Sequence, residues 1–136
     1  MVLWKDIDVS LPMRFQLPRG YCEYGISQYG QVSVKISDVE FLEWFKNVER
    51  TFLIGDVRRE SRINDENSSI SMKYVDGFTQ VFDSSNSLMV DGHDLVDSEL
   101  DCLVDVERVY TLNDVQGLTC KIFQVRVVPV ELHFSS

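Results

Sequence analysis

Two stretches of the chain carry apolar side chains at every second position, in residues 32–36 and 101–107. This period of two predicts strands with one buried face and one face toward solvent. Residues 21–27 also suit a strand, and residues 118–128 predict a long strand that ends before Pro129. The dominant pattern is therefore that of a β-rich chain.

One segment changes to helical spacing. Apolar residues recur every three to four positions across residues 41–52, with polar residues between them, and this predicts one amphipathic helix over about residues 38–54. Ser37 followed by Glu40 forms a capping-box pattern that is expected to begin the helix. Gly55 is expected to end it in a left-handed conformation.

The region after the helix has a different character. Residues 57–69 are mostly polar and have no periodicity, which predicts a mobile loop. Residues 70–75 and 78–82 flank the dipeptide Asp76-Gly77. Because that dipeptide tolerates positive φ angles, we expect a β-hairpin closed by a two-residue type I′ turn.

The order of strands, one helix and further strands predicts a mainly β, α+β fold. The helix would pack across an antiparallel sheet or plug a small barrel. The 136 residues fit a single domain spanning 1–136. We expect residues 1–20 to form an arm or short strand and residues 129–136 a tail.

Sequence features also bear on the compartment. Cys22, Cys102 and Cys120 are odd in number and widely spaced, as expected for reduced thiols inside a cell. No secretory signal or membrane span is apparent. We expect an intracellular protein that is not secreted.

Charge is distributed unevenly along the chain. The first 63 residues hold nine bases and nine acids, whereas the rest hold four bases and 13 acids, which accounts for the net charge of -9. Eight carboxylates and no Lys or Arg lie from Asp83 to Glu107. This acidity argues against binding to duplex DNA or to anionic membranes. It argues less strongly against single-strand binding, which also depends on local grooves and stacked aromatic rings.

Catalytic and metal-binding patterns find little support. The chain holds two histidines, and no triad, zinc or phosphate-loop motif is present. Asp91, His93, Asp94 and Asp97 lie close together, but their spacing matches no established metal site. We therefore expect a protein that is not an enzyme and that uses no metal or cofactor.

Basic residues cluster after the helix and are interleaved with aromatic residues further on. Arg58, Arg59 and Arg62 follow the helix, and Lys73 and Tyr74 come next. Phosphates pair with such cations and bases stack on exposed rings. In the alternative reading, the rings belong to the core and the arginine loop is only solvated. The aromatic residues in question are Phe78, Phe82 and Phe123, and the later basic residues interleaved with them are Lys121 and Arg126.

The final strand pair resembles the small OB-fold single-stranded DNA-binding proteins of large DNA viruses and phages. In those proteins a strand ending in an aromatic residue leads through a short loop to a glycine and a last strand. The helix that begins at Val39 is also similar, and the resemblance spans about residues 20–128. The matching residues are Tyr110, Gly117, Leu118, Lys121, Ile122, Gln124 and Val125.

Two functional hypotheses follow. The first, implied by the resemblance, is a non-enzymatic OB-like protein that binds single-stranded nucleic acid with low sequence specificity, in viral DNA replication or repair within a host cell. The second is a protein-interaction or structural module, a β-barrel or sandwich that docks a basic partner on its acidic face at Asp101, Asp105 and Glu107. Both leave room for a homo-oligomer. The nucleic-acid contacts expected for the first are Arg58, Arg59, Arg62, Lys73, Tyr74 and Lys121.

Overall fold

A computed structural model describes residues 2–89 and 94–129. A short 3₁₀ helix (Trp4–Asp6) comes first, and one α-helix, α1 (Val39–Phe52), lies between the third and fourth strands of the described chain. The strands are β1 (Met13–Gln16), β2 (Gly20–Cys22), β3 (Gln31–Lys35), β4 (Arg58–Glu60), β5 (Ile63–Asn64), β6 (Ser69–Lys73), β7 (Gln80–Phe82), β8 (Ser98–Leu112) and β9 (Val115–Pro129).

Five strands close into a barrel in the order β8-β2-β3-β6-β9, and β9 returns to β8. The ring is closed on one side by a parallel pairing at Lys73 and Lys121, and on the other by the long antiparallel β8–β9 hairpin. The prediction of a mainly β, OB-like barrel with one helix is confirmed.

Buried side chains at alternate positions of the strands fill the interior of the barrel. Val32 and Val34 of β3 are fully buried, as are Val104 and Val106 of β8. The residues between them on β3 are exposed, so the predicted faces of residues 32–36 and 101–107 are confirmed. Burying apolar side chains on one side of each strand supplies most of the stabilisation of such a sheet.

Helix α1 packs through an aromatic cluster. Phe41 and Phe45 are fully buried and contact Phe15 of β1, with ring centroids 6.0 and 6.3 Å apart. Trp4 lies edge-on to Phe41 with a centroid separation of 5.3 Å. The predicted helix is confirmed, and the N-terminal segment that holds Trp4 is part of the core.

The predicted caps of α1 are wrong in detail. Asp38 is the N-cap, and its Oδ1 accepts the backbone N–H of Phe41 at 3.1 Å. Asp38, one residue later, therefore takes the capping role that was predicted for Ser37. Gly55 lies beyond the C-cap residue Leu53 and does not have a positive φ; its N–H donates to Gln116 Oε1 at 3.2 Å.

The predicted loop at residues 57–69 contains two strands. β4 pairs in parallel with the start of β9, and β5 pairs with β6. Ile63 is buried and anchors the segment. A parallel pairing between residues more than 50 positions apart leaves no periodic signal in a three-residue strand, so local pattern could not reveal it.

The predicted hairpin around Asp76-Gly77 is also wrong. The dipeptide does form a turn, with Gly77 at φ +81°. However, β6 and β7 both run parallel to β9, at Lys121 and at Gln124–Arg126. Two strands that run in the same direction cannot form a hairpin, so the turn carries the chain from one position on β9 to the next.

Candidate nucleic-acid interface

A cleft of about 290 Å³ lies on the outer surface of the barrel. It is bounded by the β2–β3 loop, by β3 and β6, by the distal half of the β8–β9 hairpin and by the segment between β4 and β5. Hereafter this surface is called the cleft. Its polar and aromatic lining is formed by Tyr29, Gln31, Arg62, Lys73, Tyr110 and Thr119.

The β2–β3 loop presents Tyr29 at the rim of the cleft. Gly30 follows with φ +76°, a left-handed conformation that glycine adopts without strain. Ser27 Oγ accepts the backbone N–H of Tyr29 at 3.2 Å and that of Gln31 at 3.0 Å. The loop backbone is therefore fixed while the Tyr29 side chain stays 80% exposed.

Three side chains form a hydrogen-bonded group at one wall of the cleft. Arg62 Nη2 lies 3.1 Å from Glu60 Oε1 and donates to Tyr110 Oη at 3.3 Å. Tyr110 Oη in turn donates to Glu60 Oε2 at 3.0 Å. Burial is the largest cause that raises the pKa of Tyr110, so the hydroxyl stays a donor at neutral pH.

Gly117 makes room for the Tyr110 ring on the neighbouring strand. The two residues are paired across β8 and β9. A Cβ at Gly117 would come within 2.6 Å of Tyr110 Cζ, which is far closer than atoms approach without a clash. The glycine quoted for the family resemblance therefore has a steric role here: it lets the ring lie flat against the hairpin.

Helix α1 holds the segment that supplies Arg62. Glu49 is 6% exposed, and its carboxylate accepts the Ser61 hydroxyl at 2.6 Å and the Arg62 backbone N–H at 2.8 Å. Burial raises the pKa of Glu49, and these two donors offset only part of that shift. The carboxylate thus positions the backbone from which the Arg62 side chain reaches the cleft.

The structure brings together part of the predicted contact set. Arg62 and Lys73 line the cleft, and Lys121 is the strand partner of Lys73. Lys121 Nζ is also 3.1 Å from Glu107 Oε2. Lys121 itself is not among the residues that line the cleft.

The other three predicted contacts lie elsewhere. Tyr74 is half-buried and packs against the core. Arg58 and Arg59 are exposed on β4 and, as neighbours in a strand, point to opposite sides. Arg59 faces a depression beside α1 that is also lined by Lys46 and Arg50.

Sequence reasoning missed several residues of the cleft. Tyr29 was not among the predicted contacts, and Tyr110 entered only through the family resemblance. Arg108 is exposed and pairs with the cleft residue Thr119. A bulge near Glu107 brings Arg108 to the outer surface by shifting the register of β8. The single Arg directly after the acidic run was the one available signal.

The acidic face is largely neutralised by partners. Asp101 accepts Arg19 Nε at 2.9 Å and Arg126 Nη2 at 2.6 Å, and Asp105 accepts Arg14 Nη2 at 2.9 Å. These cations come from β9 and from the N-terminal region, which local sequence does not connect to β8. Because Glu107 pairs with Lys121 as well, the three carboxylates predicted to dock a basic partner already have internal ones.

Phe78 and Phe82 of the predicted hairpin do not line the cleft, and neither does Phe123 of β9. Phe78 and Phe123 pack with centroids 5.7 Å apart, and the Arg14 guanidinium lies 3.7 Å from the Phe123 centroid. Phe82 lines a smaller pocket of about 170 Å³ together with Arg126. The cations beside these rings are held by carboxylates: Arg14 by Asp105, Arg126 by Asp101, and Lys121, whose Nζ lies 5.9 Å from the Phe78 centroid, by Glu107. The region around these rings therefore offers less free positive charge than the cleft.

The described residues contain no group of three or more His, Cys, Asp or Glu side chains that could hold a metal ion. Asp91 and His93 of the weighed metal site lie outside the described residues, as does the tail from residue 130 onward.

All three cysteines are buried and free. Burial raises the pKa of Cys120 to about 12, so that thiol is not a nucleophile at neutral pH. In the described ranges, no helix has the length and apolar character to span a membrane.

Comparison with known proteins gives matches in structure only. No family model matches the sequence, and no curated protein does. The fold is similar to that of gp2.5, a single-stranded DNA binding protein encoded by bacteriophage T7, with a TM-score of 0.60 and 12% identity over 92% of this chain and 91% of that one. It is also similar to a C-terminally truncated single-stranded DNA-binding protein from bacteriophage Enc34, with a TM-score of 0.64 and 8% identity over 89% of this chain and 88% of that one.

The chain has the OB-like fold of these phage proteins. About nine tenths of each chain takes part in the match. At 8% and 12% identity the correspondence concerns backbone arrangement. The predicted resemblance is confirmed at that level.

Proposed function

We propose that this protein is a non-enzymatic single-stranded DNA-binding protein with low sequence specificity. The observation that carries the proposal is the place of the cleft in the barrel. OB-folds bind oligonucleotides on the face of their second and third strands, between the loop joining strands 1 and 2 and the loop joining strands 4 and 5. Here those parts are β3, β6, the β2–β3 loop and the β8–β9 turn, and the first three line the cleft directly.

The side chains of the cleft suit a single strand. Lys73 lines the cleft, and Arg108 is the strand partner of the lining residue Thr119. Neither has an ion-pair partner within the described ranges, so both are available to phosphates. Tyr29 offers an exposed ring on which a base can stack. Neither kind of contact reads base identity, which supports binding without strong sequence preference.

The overall charge supports a preference for single strands over duplex. A net charge of -9 repels the dense phosphate array of duplex DNA. A flexible single strand can follow the short cationic cleft and compensate with stacking. Unspecific single-strand binding of this kind serves DNA replication or repair inside a host cell, and the structural similarity to two phage proteins favours that setting.

The proposal is tested by fluorescence anisotropy with a labelled oligothymidylate of about 20 nucleotides, titrated over a range of salt concentrations. Because roughly two free cations face the strand, we expect log K to fall with log salt with a slope between about -1 and -2. Lys73→Gln should weaken binding and make the slope shallower by about 0.7, which corresponds to one phosphate. No binding at low salt would refute the proposed function.

Lys5→Gln is the matched control. Lys5 is an exposed lysine on the 3₁₀ helix, outside the cleft lining, and its replacement removes the same charge. We expect that variant to bind like the wild type within about twofold. An equal loss for both variants would show that total charge matters and that the cleft does not.

A further inference from the structure

Glu60 holds two side chains of the cleft, those of Arg62 and Tyr110. Its Oε1 lies 3.1 Å from Arg62 Nη2, and its Oε2 accepts the Tyr110 hydroxyl at 3.0 Å. Both partners line the cleft. In the free protein, an anionic side chain therefore sits where a phosphate would make the same two contacts.

Glu60 is free to give up this position. Its side chain is 57% exposed, while that of Arg62 is 16% exposed. It lies on the edge strand β4, which pairs with β9 on one side only. The arginine is fixed by the Glu49 contact to its backbone, so the carboxylate can swing into solvent while the guanidinium stays in place.

We infer that Glu60 is an internal competitor for the phosphate backbone, a built-in contact that lowers the affinity of the cleft for single-stranded DNA. A bound phosphate replaces the carboxylate on Arg62 and Tyr110, and Glu60 turns to water. This inference rests on the proposed function. It assigns the acid a regulatory effect on that same site: binding is weaker, and release is faster, than the cations alone would give.

Glu60→Gln is the direct test, because glutamine keeps the shape and an acceptor for Tyr110 but loses the charge. With labelled oligothymidylate at low salt we expect binding about five- to tenfold tighter than wild type, the size expected when one exposed like charge beside a phosphate site is removed. The salt slope should steepen by about 0.7, because Arg62 then acts as a free cation. At about 1 M salt the two proteins should bind alike, since charges are screened beyond roughly 3 Å.

Glu43→Gln is the matched control. Glu43 is 59% exposed and is paired with Lys46 on α1, so the change in charge and in exposure is nearly the same. We expect this variant to bind within about twofold of wild type. If both variants gain equally, the effect is one of net charge and the inference fails. If wild type binds and neither variant gains, the inference fails while the proposed function stands.

A double-mutant cycle separates the local contact from other causes. Arg62→Gln keeps the backbone N–H that Glu49 accepts, and it removes the cation that Glu60 masks. In that background Glu60→Gln should change affinity by less than about twofold. A full gain in the absence of Arg62 would overturn the assigned mechanism. Circular dichroism melts of each variant verify that it is folded.

Discussion

Tyr24 and Tyr29 form a natural comparison at the scale of single residues. Both lie in the β2–β3 loop and they are 79% and 80% exposed. Tyr29 lines the cleft, and Tyr24 is not among its lining residues. Since the two side chains are equal in chemistry and exposure, any difference in their effect on binding reports on position alone.

Tyr29→Ala should weaken binding to oligothymidylate by roughly tenfold, because loss of one stacked base costs about 1–3 kcal/mol. Tyr29→Phe should retain most of the affinity, since the ring face is kept. Tyr24→Ala is expected to bind like the wild type. The measurement is the same anisotropy titration at constant salt, and equal losses for the two alanine variants would contradict the position of the cleft.

The sequence revealed the residue types of the site but not their grouping. Arg62 and Lys73 were predicted as contacts and do line the cleft. Arg58, Arg59 and Tyr74 were predicted with them because they are neighbours in the chain. Alternation along β4 and the packing of Tyr74 place those three elsewhere, and neither could be known before the pairing partners of the strands were known.

At the scale of elements, the contact between α1 and the β4–β5 segment links the core to the cleft. Glu49 is a buried acid in the helix that satisfies two donors of that segment. Replacing it with alanine would leave the Ser61 hydroxyl and the Arg62 N–H without an acceptor. The helix therefore stabilises the site as well as the barrel.

We expect Glu49→Ala to lower the free energy of unfolding by about 1–3 kcal/mol at about pH 4, as measured by urea denaturation. Glu49→Gln keeps a hydrogen-bond acceptor. The pH dependence of its free energy of unfolding should, however, differ from that of wild type. Burial raises the pKa of Glu49 in the folded state, so the native protein binds more protons than the unfolded chain between the two pKa values. The contribution of Glu49 to the free energy of unfolding is therefore present below the ordinary pKa near 4.5, and it declines as the pH rises through the raised pKa.

The Gln variant carries no such titration. Its stability relative to wild type should therefore increase as the pH is raised from about 4 to 7. A stability difference between Glu49→Gln and wild type that stays constant over this range would contradict the role of burial at this carboxylate.

Secondary structure was predictable where it depends on local pattern. The helix, the strand with alternating acids and the last long strand were all predicted because periodic burial shapes their composition. The failures share one cause. β4, β6 and β7 each pair in parallel with β9, and parallel partners distant in sequence leave no turn signature to read. Asp76-Gly77 forms a turn, but the strands on either side of it, β6 and β7, both pair with β9.

At the scale of the whole molecule, ion pairs join the N-terminal region to the barrel. Asp101 on β8 is bound by Arg19 and by Arg126 of β9, and the hydrogen bond from Arg19 is the largest cause that lowers its pKa. Part of the acidic run is therefore neutralised by bases that lie far from it in the sequence. Local charge counting could not show this, because the pairs connect residues 25 and 82 positions apart.

Asp101→Asn should destabilise the protein by about 1–2 kcal/mol at pH 7, a value reduced for the partial exposure of both arginines. Because the folded pKa is lowered, this stabilisation is present above the ordinary pKa and is lost as the pH falls through the lowered one. Urea denaturation at pH 7 and at about pH 3 should show the difference shrinking in acid. Asp56→Asn, at an exposed carboxylate without an ion pair in the described ranges, is the control and should differ little from wild type at either pH.

β9 is the shared partner of β4, β6, β7 and β8, and it follows all of them in the chain. During synthesis, those strands leave the ribosome before the one segment that joins them. Until residues 115–129 emerge, the edges of β6 and β4 have no β9 to pair with, and open strand edges invite association with other chains. The barrel therefore closes only after its last strand has emerged, and until then the open edges of β4 and β6 are exposed to association with other chains.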